Sequence, residues 1–421
     1  MGLKLRLFVM MALLVSVHGA SAAKLFPYMG MLGFTPIQQT LAGSAWAFAT
    51  VFGIFFSNQF ADRNFAAERF LAVTQLLSGL ALIGTAYSRT FFPFFCFFLA
   101  HSLLHVPSIS VAYSIAFANL PDPAQDFGKI RIGGTVGWIA VSWPFVFLLS
   151  AHPSEYEVRW IFLLSALIAF ALGILAFFLP HTPPRKDPVD PLAWRAAFKM
   201  LRTPVVAVLF LVTFIDSVVH NGYYVVSDAF LTNRVGIAGN LSMVVLSLGQ
   251  LAEIATMLVL GRALTRLGWR LTMFIGVCGH IVRALVFAFF PDNIPLIVAV
   301  QLVHGVCYGF FFASVYIFVD QTFPKDIRVS GQGLFNLLIL GVGSVVANML
   351  FPGVQAMLTH AVAGGGVVTD YRTLFLMPAG LAGVAALILA VAFWPSTFGP
   401  AARPDHINGP ELATDPGTAQ A

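Results

Sequence analysis

Long apolar runs are the feature that most limits what this chain can fold into. Runs of about twenty apolar residues alternate with short polar stretches, and a helix needs about twenty such residues to cross the hydrocarbon core of a bilayer. Apolar residues make up 58% of the 421 and charged residues only 10%, whereas soluble domains carry roughly 25% charged residues. A water-soluble fold and a disordered chain are both excluded, because each needs many more polar residues.

The apolar runs predict an all-α polytopic membrane protein with twelve transmembrane helices. The predicted helices are 5–31, 40–60, 69–88, 91–119, 129–150, 157–180, 203–231, 240–264, 270–290, 294–321, 329–357 and 370–394. We expect them to form two six-helix bundles, at 1–180 and 203–395. A polar, proline-containing cytoplasmic linker at 181–202 joins the bundles, and a flexible cytoplasmic tail follows at 396–421.

Lysine and arginine are distributed unevenly between the two sets of loops. If the N-terminus and every second loop face the cytoplasm, sixteen of these residues lie on that side, and three more lie within or at the edges of helices. The opposite side holds Arg89, Arg159, Arg234 and Arg372. The positive-inside rule therefore predicts a multi-pass protein of the inner (plasma) membrane with both termini in the cytoplasm. The net charge of +5 reflects this topology and does not indicate a nucleic-acid partner.

Two interpretations fit the N-terminal residues. A basic start, an apolar stretch and small residues near position 23 are typical of a cleaved signal peptide. The same residues also fit a first membrane helix that continues to Met31. We favour the helix, because removal of residues 1–23 would leave an odd number of membrane crossings, and we expect no cleavage there.

Polar residues inside the predicted helices are few, and they fall on shared helix faces. Burying a charge at a helix centre costs roughly 2.5–3.5 kcal/mol on insertion scales, so such groups usually face a cavity or a partner. Spacings of three, four or seven residues group Arg131 with Thr135 and Trp138, Asn221 with Tyr224, Gln250 with Glu253, and His304 with Tyr308. Glu253 lies mid-helix and Asp216 lies in the seventh helix, so both acids are candidate proton carriers.

Ordinary structural roles are the alternatives for these residues. Arg131 lies near a helix end in the predicted boundaries, where an arginine often extends to lipid headgroups. Glu253 would be neutralised by a structural ion pair with Arg283. Trp138 and Tyr308 would be packing aromatics, as most buried rings are.

The remaining polar residues do not suggest metal or cofactor chemistry. His101 and His105 are four apart but have no third ligand in the pattern, so we expect no metal site. Cys96, Cys278 and Cys307 are far apart in apolar runs and predict neither a disulfide framework nor a metal site. A Walker loop is absent, so ATP is not the expected energy source and no cofactor is expected. Near the outer end of the seventh helix, Asp228 is expected to be solvated.

The two halves of the chain carry a loose repeat. Ala61-Asp62-Arg63 follows the second predicted helix, and Gly261-Arg262 follows the eighth, each in a short basic loop. Together with the six-plus-six helix count, this pattern resembles the major facilitator superfamily. That resemblance implies two six-helix bundles around a central cavity, which opens alternately to the two sides of the membrane.

Several sequence strings resemble the nucleoside:proton symporter family of bacterial permeases. The most specific are Ile130-Arg-Ile-Gly-Gly-Thr-Val-Gly-Trp138 in the fifth helix and Gln250-Leu-Ala-Glu253 in the eighth. Weaker matches occur at the N-terminus, in the ninth helix and at Ile327-Arg-Val-Ser-Gly-Gln-Gly333, so the resemblance runs in order along nearly the whole chain.

The resemblance implies a nucleoside-binding cavity with a contribution from each half. Arg131, Thr135 and Trp138 would come from the first half, and Asn221, Tyr224, Gln250, Glu253, His304 and Tyr308 would come from the second. One position departs from the family pattern: the acid that follows the second aromatic residue of helix ten falls on Gly309 here. If that acid serves ribose binding or proton coupling in the family, another group must serve in this chain.

These observations predict a secondary active transporter that couples nucleoside uptake to protons by alternating access. Aromatic rings stack on a nucleobase and amides read its edge, although the same side chains also suit a sugar or an aromatic acid. A polytopic membrane enzyme and a structural or receptor-like membrane protein are the alternatives of other classes. We expect no enzyme, because the buried histidines have no accompanying nucleophile. The expected partners are a small-molecule substrate, protons and the lipid bilayer, and the expected state is a monomer.

Overall fold

The computed structural model describes residues 2–53, 64–121, 123–184, 198–324, 328–362 and 366–395. Ten helical segments within these ranges are long and apolar enough to cross a membrane. One of them, Ser242–Phe289, is two helices that meet at Gly268, where φ is 73° and the chain turns sharply. A further helical segment, Pro36–Phe52, precedes residues 54–63, which lie outside the described residues. The described helices are consistent with the twelve that the sequence predicts.

The helical segments are numbered here in chain order. They are α1 (Leu3–Ala22 and Leu25–Met31), α2 (Pro36–Gly43 and Ala45–Phe52), α3 (Ala67–Tyr87), α4 (Phe91–Asn119), α5 (Pro123–Ser142 and Phe145–Leu148), α6 (Glu155–Val158 and Trp160–Ala176), α7 (Pro204–Phe230), α8 (242–267), α9 (269–289), α10 (Ile294–Ala299, Val303–Cys307 and Ser314–Thr322), α11 (Arg328–Asn336 and Gly343–Met357) and α12 (Tyr371–Ala392). Wider π-helical turns occur at Leu231–Val235, Tyr308–Ala313 and Leu337–Val342, and short 3-10 turns at Met200–Arg202 and Val300–Leu302.

A short antiparallel hairpin lies between α11 and α12, where the sequence predicts only a loop. Its strands are β1 (Thr359–Val362) and β2 (Gly366–Thr369), with Thr359 opposite Thr369. Most of the predicted linker, at 185–197, and the predicted tail from 396 lie outside the described residues.

Local sequence signals explain several helix ends. The Thr35 side chain accepts a hydrogen bond from the Gln38 backbone N–H, and the Gln38 side-chain oxygen accepts one from the Thr35 backbone N–H, which is a capping box at the start of α2. Asp370 caps α12 through the backbone N–H of Thr373. Proline is the first residue of α5, at Pro123, because its fixed φ suits the first turn of a helix. Consequently α5 begins six residues earlier than the sequence analysis predicts.

The buried apolar residues show where the two halves of the chain meet. One cluster combines both halves, with Tyr28 and Phe94 from the first half and Phe230 and Phe287 from the second. Two other clusters each belong to one half, around Leu7 and Met11 in the first and around Phe311 and Phe335 in the second. The two halves therefore pack together on the side of the molecule that holds the C-terminal part of α1. They are separated on the side that holds the N-terminal end of α1.

A buried ion pair joins the halves at the closed face. The Lys24 ammonium, at the break between the two parts of α1, lies 2.9 Å from the Asp228 carboxylate in α7. Lys24 also donates to the Ser242 hydroxyl of α8 at 3.0 Å. Both charged side chains are 3% exposed. The prediction that Asp228 is solvated is therefore wrong, because the end of α7 is covered by α1 and α8.

Candidate functional site

A cavity of about 500 Å³ lies between the two halves of the chain. Its walls include eight of the nine substrate-site residues predicted from the sequence: Arg131, Thr135, Trp138, Tyr224, Gln250, Glu253, His304 and Tyr308. Apolar side chains complete the lining, including Met11, Val15, Ile132, Ile254, Met257 and Leu258. A mostly apolar cavity with a few convergent polar groups is the usual form of a small-molecule site.

Close packing of α1 against α5 turns the polar face of α5 toward the cavity. A methyl group at Gly133 would lie 2.5 Å from the Phe8 carbonyl oxygen, and one at Gly137 would overlap the Ala12 carbonyl. Glycine therefore lets the two backbones touch, as small residues commonly do between membrane helices. Arg131 lies two turns inside α5, because the helix begins at Pro123, and its side chain lines the cavity. Its place in the cavity wall favours a role there over contact with lipid headgroups.

Close packing of α8 against α10 positions Glu253, the acidic residue of the cavity wall. Gly305 lies so close to the backbone of Ala252 and Glu253 that any side chain at 305 would overlap it. Glu253 lines the same cavity as Arg131, from the other half of the chain. Arg283 hydrogen bonds His304 and His280 rather than Glu253, so the structural Glu253–Arg283 pair does not form.

A chain of polar contacts organises the wall formed by α7, α8 and α10. The Tyr224 hydroxyl lies 3.1 Å from Nε2 of His304 and 3.3 Å from the Gln250 amide. With the Gln250 amide oriented so that its nitrogen donates to the Ser247 and Leu246 carbonyls, its oxygen accepts from Tyr224. Gln250 is therefore held by its own helix, and its position depends on Tyr224.

Aromatic rings approach each other across the cavity. The Trp138 ring of α5 meets the Tyr224 ring of α7 edge-on, with centroids 6.0 Å apart. His220 stacks on His304 at 5.1 Å and contacts Tyr308 at 5.9 Å. Together the rings provide flat surfaces from both halves, which suits a planar ligand.

The helical geometry of α10 changes at Tyr308, where a π-helical turn begins. Such turns frequently occur at functional sites because they shift the register of one helix face. The next residue, Gly309, packs against Thr256 of α8: a methyl group at 309 would lie 2.7 Å from the Thr256 methyl. A larger side chain at 309 would therefore require α8 and α10 to separate.

Two predicted residues lie outside the cavity lining. Asn221 donates from its amide to the backbone carbonyls of Ser217 and Ile339, at 2.8 and 2.9 Å, so it ties α7 to α11. Asp216 is fully buried inside the second half, 3.6 Å from His280.

Two polar residues of the cavity wall are missing from the predicted site. His220 lies four residues before Tyr224, a spacing that places them on one helix face and that was available in the sequence. Tyr113 of α4 also lines the cavity, and its predicted helix gives no polar pattern that would single it out.

The histidines of α4 have ordinary hydrogen-bond partners. Nδ1 of His101 lies 2.7 Å from the Ser78 hydroxyl, and Nδ1 of His105 lies 3.2 Å from the Gln75 amide oxygen. Among the residues described here, no cluster of three or more His, Cys, Asp or Glu side chains could hold a metal ion.

Comparison with known proteins agrees with this architecture. A family model described as "Nucleoside H+ symporter" matches residues 1–397. The protein described as "Putative nucleoside transporter YegT" of Escherichia coli (strain K12) is 29% identical over 388 residues, which are 90% of each chain. The nucleoside permease NupG of the same strain is 25% identical over 422 residues, and the match covers 93% of this chain and 95% of that protein. The crystal structure of the nucleoside transporter NupG superposes with a TM-score of 0.81 at 23% identity, covering 93% of this chain and 99% of that one.

These matches cover the whole membrane bundle rather than one part of it. The structural likeness establishes the major facilitator fold, and it agrees with a cavity lined by both halves. The family model spans every described residue that lines the cavity. The chain therefore belongs to the nucleoside H+ symporter family.

Proposed function

We propose that this protein takes up nucleosides together with protons across the inner membrane by alternating access. The cavity carries this proposal, because it combines rings from both halves with an amide, a guanidinium and a carboxylate. Membership of the symporter family and similarity to a protein named as a nucleoside permease support the same substrate class.

The nucleobase would bind between aromatic side chains. Trp138 and Tyr308 offer flat faces from opposite halves, and Gln250 offers an amide to the edge of the base. Thr135, on the same face of α5 as Trp138, would contribute a hydroxyl. Tyr224 and His304 would hold the amide in position through their hydrogen-bonded chain.

The ribose would bind between the two charged groups of the cavity. The Arg131 guanidinium donates hydrogen bonds and the Glu253 carboxylate accepts them, so hydroxyl groups of a sugar can pair with both. Asn221 would act indirectly, by fixing α7 against α11.

Glu253 is also the proposed site of the coupled proton, with Asp216 as the second candidate. A protonated Glu253 would leave Arg131 free for the substrate, whereas an ionised Glu253 would attract Arg131 across the empty cavity. Proton binding and substrate binding would thus favour the same arrangement of the halves.

The proposed arrangement in the membrane follows the charge distribution. Both termini would be cytoplasmic, the six-helix bundles would span 1–180 and 203–395, and a single chain would suffice for transport. On this orientation the cavity side of α1 faces the cytoplasm, and the Lys24–Asp228 pair closes the outer side.

Uptake of labelled uridine and adenosine into proteoliposomes tests the substrate class. Unlabelled nucleosides should compete, whereas hexoses, pentoses and aromatic acids should not compete. Competition by a sugar or an aromatic acid, without competition by nucleosides, would contradict the proposal and favour the corresponding other permease.

A further inference from the structure

A cluster of buried polar side chains lies behind the cavity wall, inside the second half of the chain. Asp216 of α7 is fully buried, and neither carboxylate oxygen has a hydrogen-bond partner. Nε2 of His280, in α9, lies 3.6 Å from that carboxylate and also lacks a hydrogen bond. Arg283, one turn farther along α9, is 3% exposed and stacks over the Tyr223 ring at 3.7 Å.

Arg283 determines which ring nitrogen carries the hydrogen in His280 and in His304. Its guanidinium lies 2.8 Å from Nδ1 of His304 and 3.1 Å from Nδ1 of His280. A guanidinium only donates hydrogen bonds, so both Nδ1 atoms must accept, and each neutral ring carries its hydrogen on Nε2. The Nε2–H of His280 consequently points at Asp216, and that of His304 points at the Tyr224 hydroxyl.

The same geometry sets the charges of the cluster. A second proton on either ring would place an N–H against the Arg283 donors, so His280 and His304 stay neutral while these contacts last. Arg283 then carries one positive charge and ionised Asp216 one negative charge, with neutral His280 between them. Two buried charges of opposite sign, linked in this way, stabilise each other, whereas either one alone is costly.

We propose that Asp216 is a second proton-binding site of the transport cycle, coupled to the cavity through Arg283. When Asp216 binds a proton, the Arg283 charge loses its counter-ion and its attraction shifts toward His304 and the cavity acid Glu253. The signal reaches the substrate site along the contacts from Arg283 to His304, from His304 to Tyr224 and from Tyr224 to Gln250. This inference rests on the proposed nucleoside–proton symport.

His280 is the titratable side chain beside Asp216, and further titratable or charged side chains lie around His280 and Arg283. They are His220 and Tyr223 of α7, and His304 and Cys307 of α10. From α11 and α12 the side chains beside His280 and Arg283 are apolar, namely Phe351, Phe375 and Pro378. Asp216 is the carboxylate of this cluster, and it can bind and release a proton without breaking an Arg283 hydrogen bond.

A small cavity gives the cluster room for a proton-carrying water. It measures about 20 Å³ and is lined by Tyr223, His280 and Arg283 together with the apolar side chains of α11 and α12. A space of this size holds one water molecule when polar partners are present.

The test compares accumulation with exchange for Asp216→Asn in proteoliposomes. With a pH gradient of one unit and no membrane potential, each coupled proton supports about tenfold accumulation of uridine. The variant mimics a permanently protonated Asp216, so its accumulation ratio should fall about tenfold while uridine exchange at equal pH continues. Asp292→Asn is the matched control, because it makes the same chemical change in the same half at a side chain that is 81% exposed, and it should accumulate uridine like the parent.

Unchanged accumulation by Asp216→Asn would overturn the proposal, and so would loss of exchange together with accumulation in a correctly inserted protein. If Asp216→Asn does not insert into the membrane, His280→Asn is tested in its place. This change removes the group between Asp216 and Arg283, so it should give the same loss of uridine accumulation with retained uridine exchange. A parent protein that takes up no nucleoside would instead contradict the proposed function, so the two failures are distinguishable.

Discussion

Arg131 is the residue whose role depends most on geometry rather than on charge alone. Its guanidinium presents a rigid, planar fork of donors to the cavity, which the single ammonium of a lysine cannot reproduce. We expect Arg131→Lys to lose most uridine uptake although the charge is kept. Lys129→Arg is the matched control, because Lys129 is 73% exposed and lies outside the cavity. Near-normal uptake by Arg131→Lys would assign Arg131 to membrane topology instead.

Trp138 and Tyr308 are expected to contribute by stacking. Base–aromatic stacking is worth roughly 1–3 kcal/mol per ring, so replacing either ring by alanine should raise the KM for uridine by about 5–150-fold. Replacement by phenylalanine keeps a flat ring and should have a much smaller effect. Concentration-dependent initial rates of uptake measure this, and an unchanged KM in both alanine variants would show that the rings serve only packing.

At the level of single helices, the contact between α1 and α5 should be sensitive to one methyl group. A side chain at Gly137 overlaps the Ala12 carbonyl, whereas one at Gly380 of α12 meets no atom within 4 Å. Overpacking a tight contact costs roughly 1–3 kcal/mol. Gly137→Ala should therefore lower the thermal unfolding temperature of the purified protein in detergent, and Gly380→Ala should not. Equal unfolding temperatures would contradict the tight α1–α5 contact.

The sequence predicted that the helices exist. It predicted only some of the residues at which they begin and end, and only some of the contacts between them. The apolar runs predict the described segments because crossing a bilayer fixes their length. The early start of α5 depends on Pro123 and changes the depth of Arg131 in the helix. The polar spacings group residues on shared helix faces, and eight of those residues line the cavity, but Asn221 shares the same kind of spacing and bonds the backbone of α11 instead. Spacing shows which residues share a face and leaves open what that face contacts.

For the whole molecule, the Lys24–Asp228 pair is expected to hold one face closed. Breaking a buried ion pair by removing one partner costs roughly 3–5 kcal/mol, because the other charge is left uncompensated. Lys24→Met should therefore destabilise the closed face and shift the population toward opening there. The sequence did not predict this pair, because its partners are 204 positions apart and meet only when the halves pack together.

Thiol labelling measures that opening. Ser44 is 1% exposed at the contact between α2 and α11, so Ser44→Cys, in a protein whose three native cysteines are replaced by serine, reports on this face. An impermeant maleimide should label it at least about tenfold faster when Lys24→Met is added, since about 1.4 kcal/mol corresponds to a factor of ten. Lys129→Met removes an exposed lysine and should leave the labelling rate unchanged. Equal rates in all three proteins would contradict a closing role for the pair.

The central claim is that a nucleoside and a proton cross together and that Glu253 is required for both. The most direct measurement follows the internal pH of proteoliposomes with an enclosed dye while uridine is added outside. The account predicts that uridine acidifies the interior when the parent protein is present, and that Glu253→Gln, inserted at the same level, gives neither acidification nor uphill uptake. Uridine uptake by the parent without acidification, or acidification by Glu253→Gln at the parent rate, would contradict the account.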